Sequence, residues 1–180
     1  MTARAQQTRD ELLALRCLTG TPGAFADLVR EMERPLLYFV AKLAGEGVAL
    51  DVLQEVWLRA FRTIERLAEP GRLRVWLYRL ARGLAIDRVR KDRADARREH
   101  EHARAAEVAG DEPTFDADDA AAIHRALDAL PLAFREVLVL HFLEELPLAE
   151  VAAVVGCPEG TVKSRLHHAK RALRDVLGGP

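Results

Sequence analysis

Between Glu99 and Asp119 the chain carries Glu99, Glu101, Glu107, Asp111, Glu112, Asp116, Asp118 and Asp119 against a single arginine, Arg104. The large apolar side chains there are Val108 and Phe115 alone. A stretch with so little apolar surface cannot offset the entropy of ordering itself, so it contributes no core. Gly110 and Pro113 add breaks. The 180 residues are thereby divided, and each side must bury its apolar residues in a small unit of its own. The expectation is an all-α protein: two small helical domains, 10–98 and 120–177, joined by a flexible acidic linker, 99–119.

Nowhere does the chain alternate apolar and polar residues with a strand's period; its apolar residues recur every three or four positions. Asp10 to Leu18 reads as a short helix, broken by Gly20-Thr21-Pro22-Gly23. Ala24 to Leu43 resumes with Phe25, Leu28, Val29, Leu36, Phe39, Val40 and Leu43 in register; Pro35 predicts a kink or a break, and Gly45-Glu46-Gly47 an end. From Asp51 to Leu67 the buried face is Leu53, Val56, Trp57, Ala60, Phe61, Ile64 and Leu67. Opposite it Asp51, Glu55, Arg59 and Arg62 form a polar stripe, its acids at the end where a helix dipole favours them. Glu69-Pro70-Gly71 reads as a loop. The next helix, Leu73 to about Lys91, sets Leu73, Trp76, Leu77, Leu80, Leu84 and Val89 against Arg72, Arg74, Arg79, Arg82, Arg88 and Arg90.

Beyond the acidic stretch, Leu146 to Leu166 is written as helix, tight turn, helix, with Gly156-Cys157-Pro158 at the turn. The first helix places Leu148, Val151, Ala152 and Val155 on one face. The second opens at Thr161, holds Val162, Leu166, Ala169 and Leu173 inward and points Lys163, Arg165, Lys170 and Arg174 outward. Such a helix fits a DNA major groove, although a plain helical hairpin with a solvated basic face has the same pattern.

The net charge of -1 conceals a segregation. Between Arg72 and Arg98 only Asp87, Asp92 and Asp95 interrupt a basic run, and the helix after Thr161 is basic again. Two basic modules flanking an acidic linker suit DNA contact at two places, while free protein should bind DNA poorly. Cys17 and Cys157 form no ligand pattern, His100 and His102 lie in the linker, and the adjacent His167 and His168 point apart on a helix, so no metal or disulfide framework is expected. His124 and His141 read as surface and packing residues. Gly160-Thr161-Val162-Lys163-Ser164 lacks the glycine spacing of a phosphate loop, and no nucleophile, base and orienting group can be placed together. The expectation is a protein that is not an enzyme and has no cofactor. Met1 to Asp10 has no apolar core and no run reaches the length of a membrane span, which predicts a cytoplasmic protein without membrane insertion.

Two blocks of residues then resemble one family. Asp51-Val52-Leu53-Gln54-Glu55-Val56-Trp57-Leu58-Arg59-Ala60-Phe61, with Val75-Trp76-Leu77-Tyr78-Arg79-Leu80-Ala81-Arg82 and Ala85-Ile86-Asp87-Arg88-Val89-Arg90, is similar to region two of the extracytoplasmic-function (ECF) sigma factors of bacterial RNA polymerase. Leu130-Pro131, Arg135-Glu136-Val137-Leu138-Val139-Leu140 and Gly160-Thr161-Val162-Lys163-Ser164-Arg165-Leu166-His167 resemble region four of the same family, in the same order. The resemblance implies an alternative sigma factor that binds core RNA polymerase through the beta-prime clamp helices and the beta flap, and directs it to promoter DNA. It implies clamp-helix docking by Asp51, Gln54, Glu55 and Arg59. It implies minus-ten recognition and melting by Arg72, Arg74, Trp76, Arg79, Arg82, Asp87, Arg88 and Arg90. Trp76 would stack on a base there, or serve as core at its inward helical position. Minus-thirty-five contacts fall to Thr161, Lys163, Ser164, Arg165, His167, His168 and Arg171, the cations mainly on phosphates and Ser164 and His168 on base edges. An anti-sigma factor would control it, and the protein would associate with the nucleoid when bound to polymerase.

Three residues depart from the family's pattern: Gly83 stands where asparagine is usual, His168 where arginine is common, and Leu73 where an aromatic precedes the tryptophan. They bear on which promoter is read. Two other functions fit the residues: an autonomous helix-turn-helix regulator, and a sigma paralogue that binds polymerase or an anti-sigma factor without opening promoters.

Overall fold

The computed structural model describes the backbone of residues 3–102 and 119–177, and side chains over 5–95 and 122–177. Helices and short turns make up all of its regular structure, and no strand occurs among the described residues. Residues 103–118, most of the expected linker, lie outside the described residues.

The first unit is built from four helices. Helix α1 (Ala3–Leu18) begins well before Asp10 and ends where Gly20 and Gly23 turn the chain at φ 68° and 78°. Helix α2 (Ala24–Ala44) runs through Pro35 without the expected break. Leu28, Met32, Leu36, Phe39 and Val40 are buried on both sides of the proline, and their burial outweighs a penalty of about 3 kcal/mol for the lost hydrogen bond.

Gly45, at φ 93°, ends α2, and α3 (Glu46–Thr63) starts at the next residue rather than at Asp51. Gly47 therefore lies in a first turn, where backbone N–H groups lack helical partners in any case, and buried Ala49 extends the apolar face. Short 3₁₀ turns, Ile64–Arg66 and Pro70–Arg72, replace the end of the expected helix and the expected loop. Helix α4 (Leu73–His102) outruns its expected end at Lys91 and includes the first residues assigned to the linker. Apolar periodicity stops near Val89, but the Ala, Arg, Lys and Glu that follow favour helix without needing a core. An Arg88–Asp92 pair at 2.9 Å adds i,i+4 support.

The second unit holds α5 (Asp119–Ala129), α6 (Leu132–Leu138), α7 (Leu148–Val155) and α8 (Glu159–Leu177). A π-helical turn, Val139–Leu143, continues α6, and Glu145 reverses the chain at φ 54°. Val137, Leu140, Leu146, Val151, Val162, Leu166 and Ala169 form the buried seam that clamps α8 to α6 and α7. The turn ahead of α8 depends on Gly156, whose φ of 72° a side chain tolerates poorly. The helix opens at Glu159, two residues before the expected Thr161. The two units are packed together, α4 against α7 and α2 against α6, and their buried residues form one contiguous cluster.

Two glycines with open space around them should behave oppositely in urea unfolding followed by circular dichroism. Gly83 sits mid-helix in α4, so Gly83→Ala should stabilise by about 0.5–1 kcal/mol. Gly156→Ala should destabilise by about 1–2 kcal/mol through its backbone alone.

Candidate nucleic-acid interface

Helix α3 offers a surface that is acidic and apolar together. Asp51, Gln54, Glu55 and Arg59 are all exposed, and between them Leu50 and Leu58 stand 62% and 52% exposed. Phe61, expected on the buried face, is 66% exposed. It lies at the edge of the apolar stripe, with its ring edge-on to Phe25 at 5.1 Å. Phe25 also meets Trp57 edge-on at 6.1 Å, and the buried Trp57 Nε1 has no hydrogen-bond partner. Large exposed apolar residues beside polar ones mark a docking surface. Helical spacing alone does not distinguish Leu50 and Leu58 from residues of the buried face beside them.

The basic residues of α4 separate into two groups. Arg79 and Arg90 are exposed; Arg72, in the turn ahead of α4, pairs with Glu69 at 3.1 Å, and Asp87 is exposed with Arg90 3.9 Å away. Arg88 pairs with Asp92 and lies 3.9 Å from Asp51, which joins this helix to the acidic end of α3. Half-buried Trp76 is neither sealed in the core nor free: with Leu67, Glu69, Arg72, Arg79 and Leu80 it lines an open pocket of about 460 Å³. An apolar wall with cations at its rim suits an unstacked base and its phosphate.

Arg74 and Arg82 face away from that pocket into the second unit. Arg74 Nη2 donates to the carboxylate and the carbonyl of Glu144 at 3.3 Å. Arg82 donates to both oxygens of Glu136, at 2.7 and 3.3 Å. They are one helical repeat of two turns apart, with buried Tyr78 between them donating its hydroxyl to Glu144. Burial, then the Glu144 charge, pushes the Tyr78 hydroxyl well above its ordinary value. Burial also raises the Glu144 carboxyl, against the opposing pull of the Tyr78 hydrogen bond and the Arg74 charge.

On α8, Thr161, Lys163, Ser164, His167, His168 and Arg171 are exposed, spaced so that they share an outward surface. Lys163 pairs with Glu159 at 2.9 Å, and His168 stacks on Phe134 with ring centroids 6.4 Å apart. Arg165, expected to point outward with Lys163, instead turns back to Glu136, its Nη1 3.4 Å from Oε1. The buried carboxylate attracts it, a partner that spacing along α8 could not reveal.

Behind α8, Ile123, Leu127, Leu138, Phe142, Leu143 and Leu173 line an apolar groove of about 270 Å³. No sequence pattern separated its half-exposed members from core. His124 and His141 sit as expected: His124 Nδ1 meets Tyr38 Oη at 2.7 Å, and His141 Nδ1 lies 2.9 Å from the Leu146 carbonyl. No His, Cys, Asp and Glu cluster fit for a metal occurs among the described residues, and no described helix is long and apolar enough to cross a membrane.

Known proteins resemble both units. Residues 28–94 match the family described as sigma-70 region 2, and residues 120–173 match sigma-70, region 4. The ECF RNA polymerase sigma factor SigW of Bacillus subtilis is 31% identical over 176 residues, covering 88% of this chain and 91% of that protein. SigC of Mycobacterium tuberculosis, also an ECF RNA polymerase sigma factor, is 33% identical over 167 residues, 89% of this chain and 87% of its own length. Among solved structures, CnrH in complex with the cytosolic domain of CnrY superposes with a TM-score of 0.68 at 26% identity, covering 94% of this chain and 97% of CnrH. A helix-turn-helix with an outward polar face, a second helical unit with an open, cation-rimmed pocket, and relatives of nearly equal length agree: the chain belongs to the ECF sigma factors of the sigma-70 family, alternative sigma factors that direct transcription initiation.

Proposed function

We propose that this sigma factor divides its work among four surfaces as follows. The acidic and apolar face of α3, with Asp51, Gln54, Glu55 and Arg59 around Leu58 and Phe61, docks on the clamp helices of the polymerase beta-prime subunit. Apolar contacts supply the affinity and the charged rim the orientation. The pocket at Trp76, with Arg72 and Arg79 at its edge and Asp87, Arg88 and Arg90 farther along α4, takes the minus-ten element as its strands separate. Helix α8 enters the major groove at minus-thirty-five, Lys163 and Arg171 on phosphates and Ser164 and His168 toward base edges. The apolar groove behind α8 receives the beta flap.

The observation that carries this reading is the surface of α8. Six polar or basic side chains are exposed on a helix whose back is sealed by Val162, Leu166 and Ala169, the build of a major-groove reader. The protein performs no chemistry; the polymerase does. It works in the cytoplasm, on the nucleoid when bound to polymerase, and, as CnrH is found with a partner's cytosolic domain, an anti-sigma factor holds it in reserve.

The test is transcription in vitro with sigma-free core polymerase on a genomic promoter library. Start sites sharing two upstream motifs establish the assignment, whereas polymerase binding with no initiation would make the chain a non-opening paralogue. Phe61→Asp should weaken core binding by about tenfold or more in a fluorescence titration, since a hot-spot aromatic typically costs about 2 kcal/mol or more. Lys163→Ala in the holoenzyme should weaken promoter binding uniformly across minus-thirty-five sequences. It should also reduce the slope of log affinity against log salt by about one.

A further inference from the structure

Two kinds of contact hold α8 on its own unit. Val162, Leu166 and Ala169 supply an apolar seam against α6 and α7, and two side chains of α6 grip the helix at defined points. Glu136, 2% exposed, accepts from Arg165 Nη1 at 3.4 Å, and Phe134 stacks on His168 with the ring planes 18° apart. The seam is non-directional: it keeps α8 in place but resists poorly a roll of the helix about its own axis. A roll of about 20° moves a side-chain tip lying about 5 Å from the axis by about 2 Å, enough to break a hydrogen bond to a base edge. Ser164 and His168 lie about 100° and about 60° round the helix from Arg165, on the same side of it, so a roll carries both together. The pair with Glu136 opposes that roll, because the carboxylate is fixed in the body of the unit and needs a cation beside it. Arg82 also reaches Glu136, at 2.7 Å, but from the first unit; Arg165 is a cation that the carboxylate's own unit supplies.

We propose that Arg165 is a positioning residue of the minus-thirty-five reader: paired with Glu136 beneath α8, it fixes the roll of the helix, and so the register of Ser164 and His168 against the bases, and touches no DNA itself. This role rests on the assignment of α8 to the minus-thirty-five element. The resemblance to region four implied that Arg165 contacts DNA, but its side chain is 30% exposed and committed to a carboxylate. A phosphate contact and a positioning pair leave different marks on binding. Phosphate contacts carry no sequence information, so losing one weakens all DNA alike and lowers the number of counterions released. Losing a positioning pair leaves the phosphate contacts in place and lowers the preference for the right sequence.

The test uses holoenzyme assembled from core polymerase and the full chain. Its equilibrium binding is measured over a range of salt on a promoter fragment that directs transcription, and on the same fragment with the minus-thirty-five element scrambled. Arg165→Ala should cut the preference for the intact element about tenfold, the worth of one good base contact. Affinity for the scrambled fragment should stay within about twofold, with the salt slope unchanged. Glu136→Gln, at a residue too buried to reach DNA, should give the same loss of preference. The double variant should fall no more than about twofold below either single one, because both changes break one pair. Circular dichroism checks that each variant folds; should Glu136→Gln fail to fold, the scrambled fragment and the salt slope decide from Arg165→Ala alone. Equal weakening on both fragments, with a slope lower by about one, would make Arg165 a phosphate contact and overturn the proposal. So would a full preference for the intact element in either folded variant. A wild-type holoenzyme that initiates on no promoter would instead refute the sigma-factor assignment. Amide hydrogen exchange along α8 of the free chain, expected to quicken in both single variants, would then still show whether the pair holds the helix.

Discussion

A carboxylate withdrawn from water needs strong partners, and Glu136 organises this molecule by that need. Its position in the middle of α6, 2% exposed, calls for cations from two directions. Arg165 answers from the recognition helix and Arg82 from the first unit. The first pairing pins α8 to the body of its own unit and so sets the angle at which Thr161, Ser164 and His168 are presented. The second ties α4 to α6. Truncating a partner of such a charge typically costs about 3–5 kcal/mol, far more than an exposed ion pair such as Arg72–Glu69 contributes.

Helix α4 then acts as the molecule's axis. Its apolar side, Leu73, Leu77 and Ala81, packs on α2 and α3, with Phe39 edge-on to Tyr78 at 5.3 Å. A second side carries Trp76 and Arg79 to an open pocket, and a third carries Arg74, Tyr78 and Arg82 to the second unit. A single straight helix can serve three neighbours because its residues advance about 100° each, so side chains two apart project to different sides. The arginines of this helix divide between solvent and a protein surface.

Apolar residues left in water complete the design. Leu50, Leu58 and Phe61 on α3, and Phe142 and Leu143 behind α8, are costly to expose in a free monomer and useful in a complex. A factor that functions only when bound to a much larger enzyme can leave these surfaces for its partner to cover, whereas an autonomous repressor would be expected to bury them against a second copy of itself.

Sequence alone was sufficient for the helical class and the helix-turn-helix, because helical periodicity and turn chemistry are local properties. It also carried Val162, Leu166 and Ala169 inward and Lys163 outward on α8, where spacing determines side. Local rules failed where a neighbour decided. Pro35 was held in a helix by burial on both sides, and Phe61 stands exposed at the edge of its stripe, against Phe25. Arg165 was turned inward by Glu136, twenty-nine residues away, and Arg74 and Arg82 were drawn to carboxylates more than fifty residues distant. Charge along a helix says that a side chain is cationic; only the tertiary structure says which anion, of protein or of DNA, it meets first.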